Sequence, residues 1–214
     1  MSDLDFELQR RRMVETTIVP RGIDDPCVLR AMTEVPRELF MPADLAERAY
    51  QDGAFSIGEG QTISQPYVVA LMCQALKLGP SDRVLEIGAG SGYAAAVLSK
   101  LAADVQTIER HAGLANGARE RLARLGYANV SVHWGDGSGG WPDEAPYDAI
   151  VVAAAAPRVP EALLAQLVEG GRLVIPVGDA ELQTLIRMTR QGGEYQREDL
   201  GEVRFVPLVW AMDG

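Results

Sequence analysis

The chain has 214 residues, 47% of them hydrophobic and 23% charged, with 20 Lys and Arg against 30 Asp and Glu for a formal charge of −10. That length supports one globular domain, or one domain with an appended subdomain, and a substantial core. The acidic balance repels phosphate backbones and anionic lipid, so neither nucleic acid nor a membrane is expected as a partner. Arg10-Arg11-Arg12 is the one basic cluster and is too short to alter that. Cys27 and Cys73 read as two buried thiols of a reduced protein, and with two histidines in the chain no spacing suggests a metal site. The apolar runs are short and broken by Gly or Pro, and the start, Ser2-Asp3-Leu4-Asp5, is acidic. Neither a membrane span nor a secretory signal is expected. The sequence predicts a cytoplasmic enzyme, with a monomer favoured.

The texture changes once, at Gly79-Pro80. This divides the chain into an expected helical subdomain with a substrate-side loop over 1–78 and a cofactor-binding domain over 79–214. In the first part, Asp25-Pro26 supplies a cap and a first-turn proline for a helix carrying Val28, Leu29, Met32 and Val35 on one side. Pro36, Pro42, Gly53, Gly58 and Gly60 punctuate an irregular stretch, of which Gly53 to Gly60 is a candidate flap. A second helix follows Pro66, with Val68, Leu71, Met72, Ala75 and Leu76 at helical spacing.

In the second part, short β-rich runs alternate with amphipathic helices. Strands are predicted at Arg83 to Gly88, Asp104 to Glu109, Asn129 to Trp134, Asp148 to Ala153 and Arg172 to Val177. Helices are predicted at Tyr93 to Ala102, along Leu114, Ala118, Leu122 and Leu125, and from Pro160 through Leu163, Leu164, Leu167 and Val168 to Gly170-Gly171. Nearly all-apolar strands alternating with helices indicate a parallel sheet covered on both faces. Leu182 to Arg190 and Val203 to Met212 read as a terminal antiparallel hairpin joined through Gly192-Gly193. The predicted fold is α/β, a doubly wound, mostly parallel, Rossmann-like sheet with an N-terminal helical layer and that C-terminal hairpin.

In such a sheet, ligands bind beyond the carboxyl ends of the strands where strand order reverses. The first predicted strand runs into Glu86-Ile87-Gly88-Ala89-Gly90-Ser91-Gly92-Tyr93. Glycines let the backbone turn sharply and let a ligand approach closely, although tight packing of strand on helix needs the same residues. Glu109 ends the next strand, where a carboxylate can accept both ribose hydroxyls of an adenosine, or simply cap the following helix. A dinucleotide fingerprint has the spacing G-x-G-x-x-G, whereas Gly88, Gly90 and Gly92 give G-x-G-x-G. Glu86 would oppose a pyrophosphate and would suit a cationic methionine portion. This pattern resembles motif I of the class I S-adenosylmethionine-dependent methyltransferases. By that resemblance Asp136 and Gly137, in Trp134-Gly135-Asp136-Gly137, fall where an acid faces the adenine amine; a plain Gly-Asp turn is the alternative.

Segments outside this half narrow the resemblance. Arg21-Gly22-Ile23, Val35-Pro36-Arg37-Glu38-Leu39-Phe40, Gly60-Gln61-Thr62-Ile63-Ser64-Gln65-Pro66, Ala145-Pro146-Tyr147-Asp148-Ala149-Ile150, Gly170-Gly171-Arg172-Leu173 and Phe205-Val206-Pro207-Leu208 make the chain similar, over nearly its whole length, to the protein-L-isoaspartate O-methyltransferase family. The resemblance implies methyl transfer from S-adenosyl-L-methionine, with S-adenosyl-L-homocysteine as product, to isoaspartyl (and D-aspartyl) residues of damaged proteins and peptides, initiating repair through a succinimide. It implies an active-site role for Ser64 and a peptide groove lined by Thr62, Ile63 and Val206.

The chemistry agrees with so few histidines. An α-type carboxyl has a reference pKa of about 3.3–3.7 and is already an anion at neutral pH, so no general base is needed. The work is alignment and exclusion of water. A hydroxyl can orient one carboxylate oxygen and leave the other free to attack. Ser64 could instead be a helix cap, but Pro66 favours the first helical position and makes Gln65 the expected cap. Val206 and Leu208 read equally as core strand. Two departures from the family pattern stand out: Ala153 where Thr or Gly is common, and Val209-Trp210 after Pro-Leu. The rival readings are a same-fold methyltransferase acting on a small metabolite or a dedicated peptide, a non-catalytic S-adenosylmethionine binder, and a nicotinamide oxidoreductase.

Overall fold

Strand, glycine turn and helix follow one another from residue 83, as the sequence predicts. The computed structural model describes residues 3–209. Its main sheet has seven strands: β3 (Arg83–Ile87), β4 (Asp104–Glu109), β5 (Val130–Trp134), β6 (Tyr147–Val152), β7 (Leu167–Gly178), β8 (Gln183–Gln191) and β9 (Glu194–Val203), in the order β5-β4-β3-β6-β7-β8-β9. The five strands from β5 to β7 are parallel; β8 and β9 are antiparallel additions at one edge. Val84, Leu85 and Ile87 are buried on both faces, as a central parallel strand requires. After β5 the chain crosses to the other side of β3, so strand order reverses beside the carboxyl end of β3, where the glycine turn lies.

The helices α4 (Tyr93–Leu98), α5 (Ala112–Arg124) and the short α6 (Glu161–Leu164) cover the sheet together with α3 (Pro66–Leu76). On the N-terminal side lie α1 (Asp3–Met13), which continues as a π-helical turn over Val14–Ile18, and α2 (Pro26–Glu34). The Asp25 carboxylate accepts from the backbone N–H groups of Cys27 and Val28, as the predicted cap should. One buried cluster runs from Ile18, Val28 and Met32 through Leu76 to Val84, Val97 and Val174, so the core crosses the change of texture at residue 79 without a break.

Four readings are corrected. Leu167 and Val168 belong to β7 and not to a helix: α6 stops at Leu164, and Leu167 pairs with Tyr147 before the register shifts around Gly170-Gly171. Two adjacent apolar residues fit a helix stripe and a strand equally well, which is why the pattern misled. The hairpin forms, but its second strand is Glu194–Val203, directly after Gly192-Gly193, with Gln191 opposite Glu194; it is not Val203 to Met212. Its polar composition suits a charged, solvent-facing edge and hid it from a search for apolar runs. Residues 203–209 are largely irregular, and 210–212 lie outside the described residues. Cys27 is exposed and only Cys73 is buried; both are free thiols. Finally, the stretch read as irregular contains a two-stranded hairpin, β1 (Phe55–Gly58) and β2 (Gln61–Ile63). Among the described residues no helix is long and apolar enough to cross a membrane.

Candidate active site

A cleft of about 910 Å³ opens at the carboxyl ends of β3, β4 and β6, within the range usual for ligand sites. One wall is the turn after β3. The Gly88 and Ala89 N–H groups donate to the Ile108 carbonyl at 2.8 and 3.1 Å, which draws the turn over the end of β4. Gly90 has φ +53°, and a Cβ there would meet Ile57 Cδ1 at 3.2 Å, so the bare backbone is what leaves room at the floor. Gly88 and Gly92 share the left-handed conformation, and Gly92 starts α4 as its cap.

Glu109 lies at the end of β4, 4% exposed yet on the cleft wall. Its Oε2 accepts from the Gly90 N–H and its Oε1 from the His111 N–H, each at 2.9 Å. These bonds fix the carboxylate, and each oxygen keeps a lone pair for a further donor. Asp136 and Gly137 follow β5 on the same wall. Asp136 is exposed, with Oδ1 accepting from the Ser138 N–H at 2.9 Å. Gly137 packs so tightly that a Cβ would come within 2.6 Å of Ile87 Cγ2. The glycine cradle, the anchored acid and the second acid together fit an adenosyl ligand.

A second wall is the segment Gln61 to Gln65, with Thr62 exposed, Ile63 buried and Ser64 half-buried. Gln65 is the N-cap of α3 but gives it no side-chain bond. Its amide instead donates to Asp52, whose other oxygen accepts from the Tyr67 N–H at 3.3 Å. Asp52 also holds Arg21 at 2.7 Å, and the Arg21 guanidinium stacks 3.3 Å from the Tyr67 ring centre. The Ser64 hydroxyl has no hydrogen-bond partner among the described residues and borders the cleft.

The tail closes the third side. The Ala155 N–H donates to the Val206 carbonyl at 2.8 Å, and the Leu208 N–H donates to the Ala155 carbonyl at 2.7 Å, so Val206 is carried to the cleft by pairing with the loop after β6.

Two predicted site residues do not line the cleft: Gly92, where a Cβ would meet Leu122 at 3.1 Å and Ala118 at 3.4 Å on α5, and Glu86. Glu86 takes the more distinct place. It is 1% exposed and does not line the cleft. The sequence expectation is that it suits a cationic methionine portion; in the structure its side chain is buried outside the cleft lining. There it borders a separate cavity of about 20 Å³, together with Ser64, Cys73, Ala94, Val151 and Ala153. The Thr107 hydroxyl donates to Glu86 Oε2, while Oε1 has no partner. Burial pushes the Glu86 carboxyl up to about 8, against the opposing pull of the Thr107 bond and with the added push of the Glu109 charge. Burial likewise pushes the Cys73 thiol up.

Sequence reasoning missed Arg21, Asp52 and His111. His111 borders the cleft at the start of α5, and its ring meets Glu59 at 3.8 Å and Gln61 at 3.5 Å, both from the β1–β2 hairpin. No local signal marks these residues, because their contacts span about 15 to 50 positions. The Arg21-Gly22-Ile23 run carries the family resemblance without indicating a role for Arg21.

Residues 8–212 match the family described as protein-L-isoaspartate(D-aspartate) O-methyltransferase. A protein-L-isoaspartate O-methyltransferase 2 of Pelobacter propionicus is 59% identical over 96% of this chain and 92% of its own. A protein-L-isoaspartate O-methyltransferase of Herpetosiphon aurantiacus is 54% identical over 99% of this chain and 94% of its own. Among solved structures, a Plasmodium falciparum protein described as a protein-L-isoaspartate O-methyltransferase, in complex with S-adenosyl-L-homocysteine, superposes with a TM-score of 0.80 at 29% identity, covering 94% of this chain and 98% of its own. With the cleft at the reversal of strand order and this match along nearly every residue, the chain belongs to the protein-L-isoaspartate(D-aspartate) O-methyltransferase family.

Proposed function

We propose that this cleft transfers a methyl group from S-adenosylmethionine to the free α-carboxylate of L-isoaspartyl and D-aspartyl residues in damaged proteins and peptides. The observation that carries the reading is Ser64: its hydroxyl is unpartnered among the described residues, and it lines the same cleft as the glycine turn. Gly88, Gly90, Glu109, Asp136 and Gly137 hold the donor, with Gly92 shaping the turn from behind as the cap of α4, Glu109 accepting from the ribose hydroxyls and Asp136 placed for the adenine amine. Thr62, Ile63 and Val206 line the peptide groove.

S-adenosylmethionine supplies, when bound, a methyl group already activated on a sulfonium. The residues of the chain therefore need to bind, orient and exclude water. Ser64 donates to one oxygen of the substrate carboxylate and leaves the other oxygen free to attack. A lysine or arginine in its place would hold the anion too firmly. Arg21, one of the cations lining the cleft, is committed to Asp52 and the Tyr67 ring, in keeping with that division. The methyl ester can lose methanol where the carboxylate would have to lose oxide, so the backbone amide nitrogen that follows attacks the ester carbonyl, methanol departs, and water reopens the succinimide in part to normal aspartate.

A methyl-transfer assay on paired peptides, one isoaspartyl and one normal aspartyl of otherwise equal sequence, tests this. The isoaspartyl peptide alone should be labelled. Equal labelling of both, or labelling of neither, contradicts the proposal and favours a same-fold enzyme acting on a small metabolite or a dedicated peptide.

A further inference from the structure

Behind the cleft floor, a buried carboxyl oxygen has no protein partner. Glu86 Oε2 is held by Thr107, but Oε1 is shielded from solvent and unpaired. Leaving such an atom without a partner is unfavourable unless something satisfies it. The cavity it borders, about 20 Å³, exceeds the roughly 10–15 Å³ that one water needs. Its other polar edge is Ser64, which also borders the main cleft and is likewise unpartnered. The rest of the lining is Val69, Met72, Leu98, Val151 and small residues, with Cys73 as the weak exception.

We propose that Glu86 is a positioning residue for methyl transfer, acting through one water held in the cavity it shares with Ser64, so that the Ser64 hydroxyl is fixed toward the cleft. The water satisfies Oε1 on one side and donates to Ser64 Oγ on the other. The Ser64 proton is then free to point at the substrate carboxylate. The proposal rests on the role given to Ser64 above.

The charge state of Glu86 matters to an anionic substrate one water away. The groups facing it are Thr107 and Glu109 on β4 and Cys73 on α3. None is a cation, so a neutral Glu86 lets the carboxylate approach, while an ionised one repels it. The pH at which Glu86 ionises, about 8 in the protein alone, makes this testable near neutrality.

The test combines Ser64→Ala, Glu86→Leu, Glu86→Gln and the Ser64→Ala/Glu86→Leu double variant, each with S-adenosylhomocysteine affinity by calorimetry and peptide kinetics. Glu86→Leu should lower kcat about tenfold with affinity for S-adenosylhomocysteine retained. Glu86→Gln, which keeps a donor and an acceptor, should recover most of that loss. The double variant should be no worse than Ser64→Ala alone. Independently of turnover, the cofactor-free protein at pH 7 should show the infrared carbonyl band of a protonated carboxylic acid, absent in Glu86→Gln. In the wild type, KM for the isoaspartyl peptide should rise between pH 7 and pH 9 more than in Glu86→Gln. Additive losses in the double variant, a loss of cofactor affinity in place of kcat, or a band that survives Glu86→Gln would overturn the proposal. If Glu86→Leu fails to fold, the infrared band and the KM profile of Glu86→Gln decide it. A Ser64→Ala variant with unchanged kcat would remove the role of Ser64 and this proposal with it. Unmethylated isoaspartyl peptide with wild-type protein would instead contradict the function itself.

Discussion

The two walls of the cleft are built on different principles. The donor-side wall is backbone: a glycine turn drawn over β4 by the Ile108 carbonyl, and an acid pinned by two N–H groups at the end of a strand buried from Val105 onward. The substrate-side wall is an irregular segment held by side chains from far along the chain, with Asp52 gripping Arg21, Gln65 and the first turn of α3. Backbone walls tolerate almost no added atom, whereas side-chain pins can be loosened by degrees. Substitutions on the first should therefore weaken cofactor binding or stability, and substitutions on the second should shift catalytic constants. Ser64 stands where the two principles meet.

Ser64→Ala is expected to have the largest effect on catalysis. Loss of orientation should lower kcat by about 100-fold, with cofactor affinity kept, as steady-state kinetics beside calorimetry would show. Glu109→Ala should weaken cofactor binding by roughly 1.5–3 kcal/mol, the worth of a charge-assisted hydrogen bond; unchanged affinity by calorimetry would mean that the ribose lies elsewhere. Gly137→Ala drives a Cβ to within 2.6 Å of Ile87 Cγ2 and should cost about 1–3 kcal/mol of stability, read as a lower Tm.

The contrast between the walls also explains what the sequence made legible. The glycine turn, Glu109 and the parallel strands are local: their residues are neighbours in sequence and their periodicity is strong. Ser64 was found by resemblance, and the expectation that Gln65 caps α3 was met because Pro66 dictates the backbone before it. The Asp52 pin was invisible because Asp52, Arg21 and Tyr67 meet only after folding. Glu86 was legible as a strand-end acid, but which side of the floor it faces depends on how β3 seats against β4 and β6. The strand Glu194–Val203 was missed because an exposed edge needs no apolar pattern.

Glu86, beneath the donor wall, supplies a pH dependence of folding. Its carboxyl is raised from 4.5 to about 8 by burial. The folded state therefore holds a proton that the unfolded chain releases, and this contribution is fully present below about pH 4.5 and lost as the pH rises through about 8. Thermal melts of the wild type should fall over that window relative to those of Glu86→Gln, and parallel curves would contradict it. The smallest expected effect belongs to the side-chain wall. Asp52→Asn should release Arg21 and loosen Gln65, raising KM for the isoaspartyl peptide by about threefold, in keeping with a net 0.5–1.5 kcal/mol per hydrogen bond, with little change in kcat.

The central claim is that the glycine wall carries the donor and presents its methyl group to Ser64. A crystal structure of this chain with S-adenosylhomocysteine and an isoaspartyl peptide tests it most directly. The account predicts the ribose on Glu109, and the substrate carboxylate between the Ser64 hydroxyl and the sulfur. A sulfur turned away from Ser64, or a ribose bound away from Glu109, would contradict it.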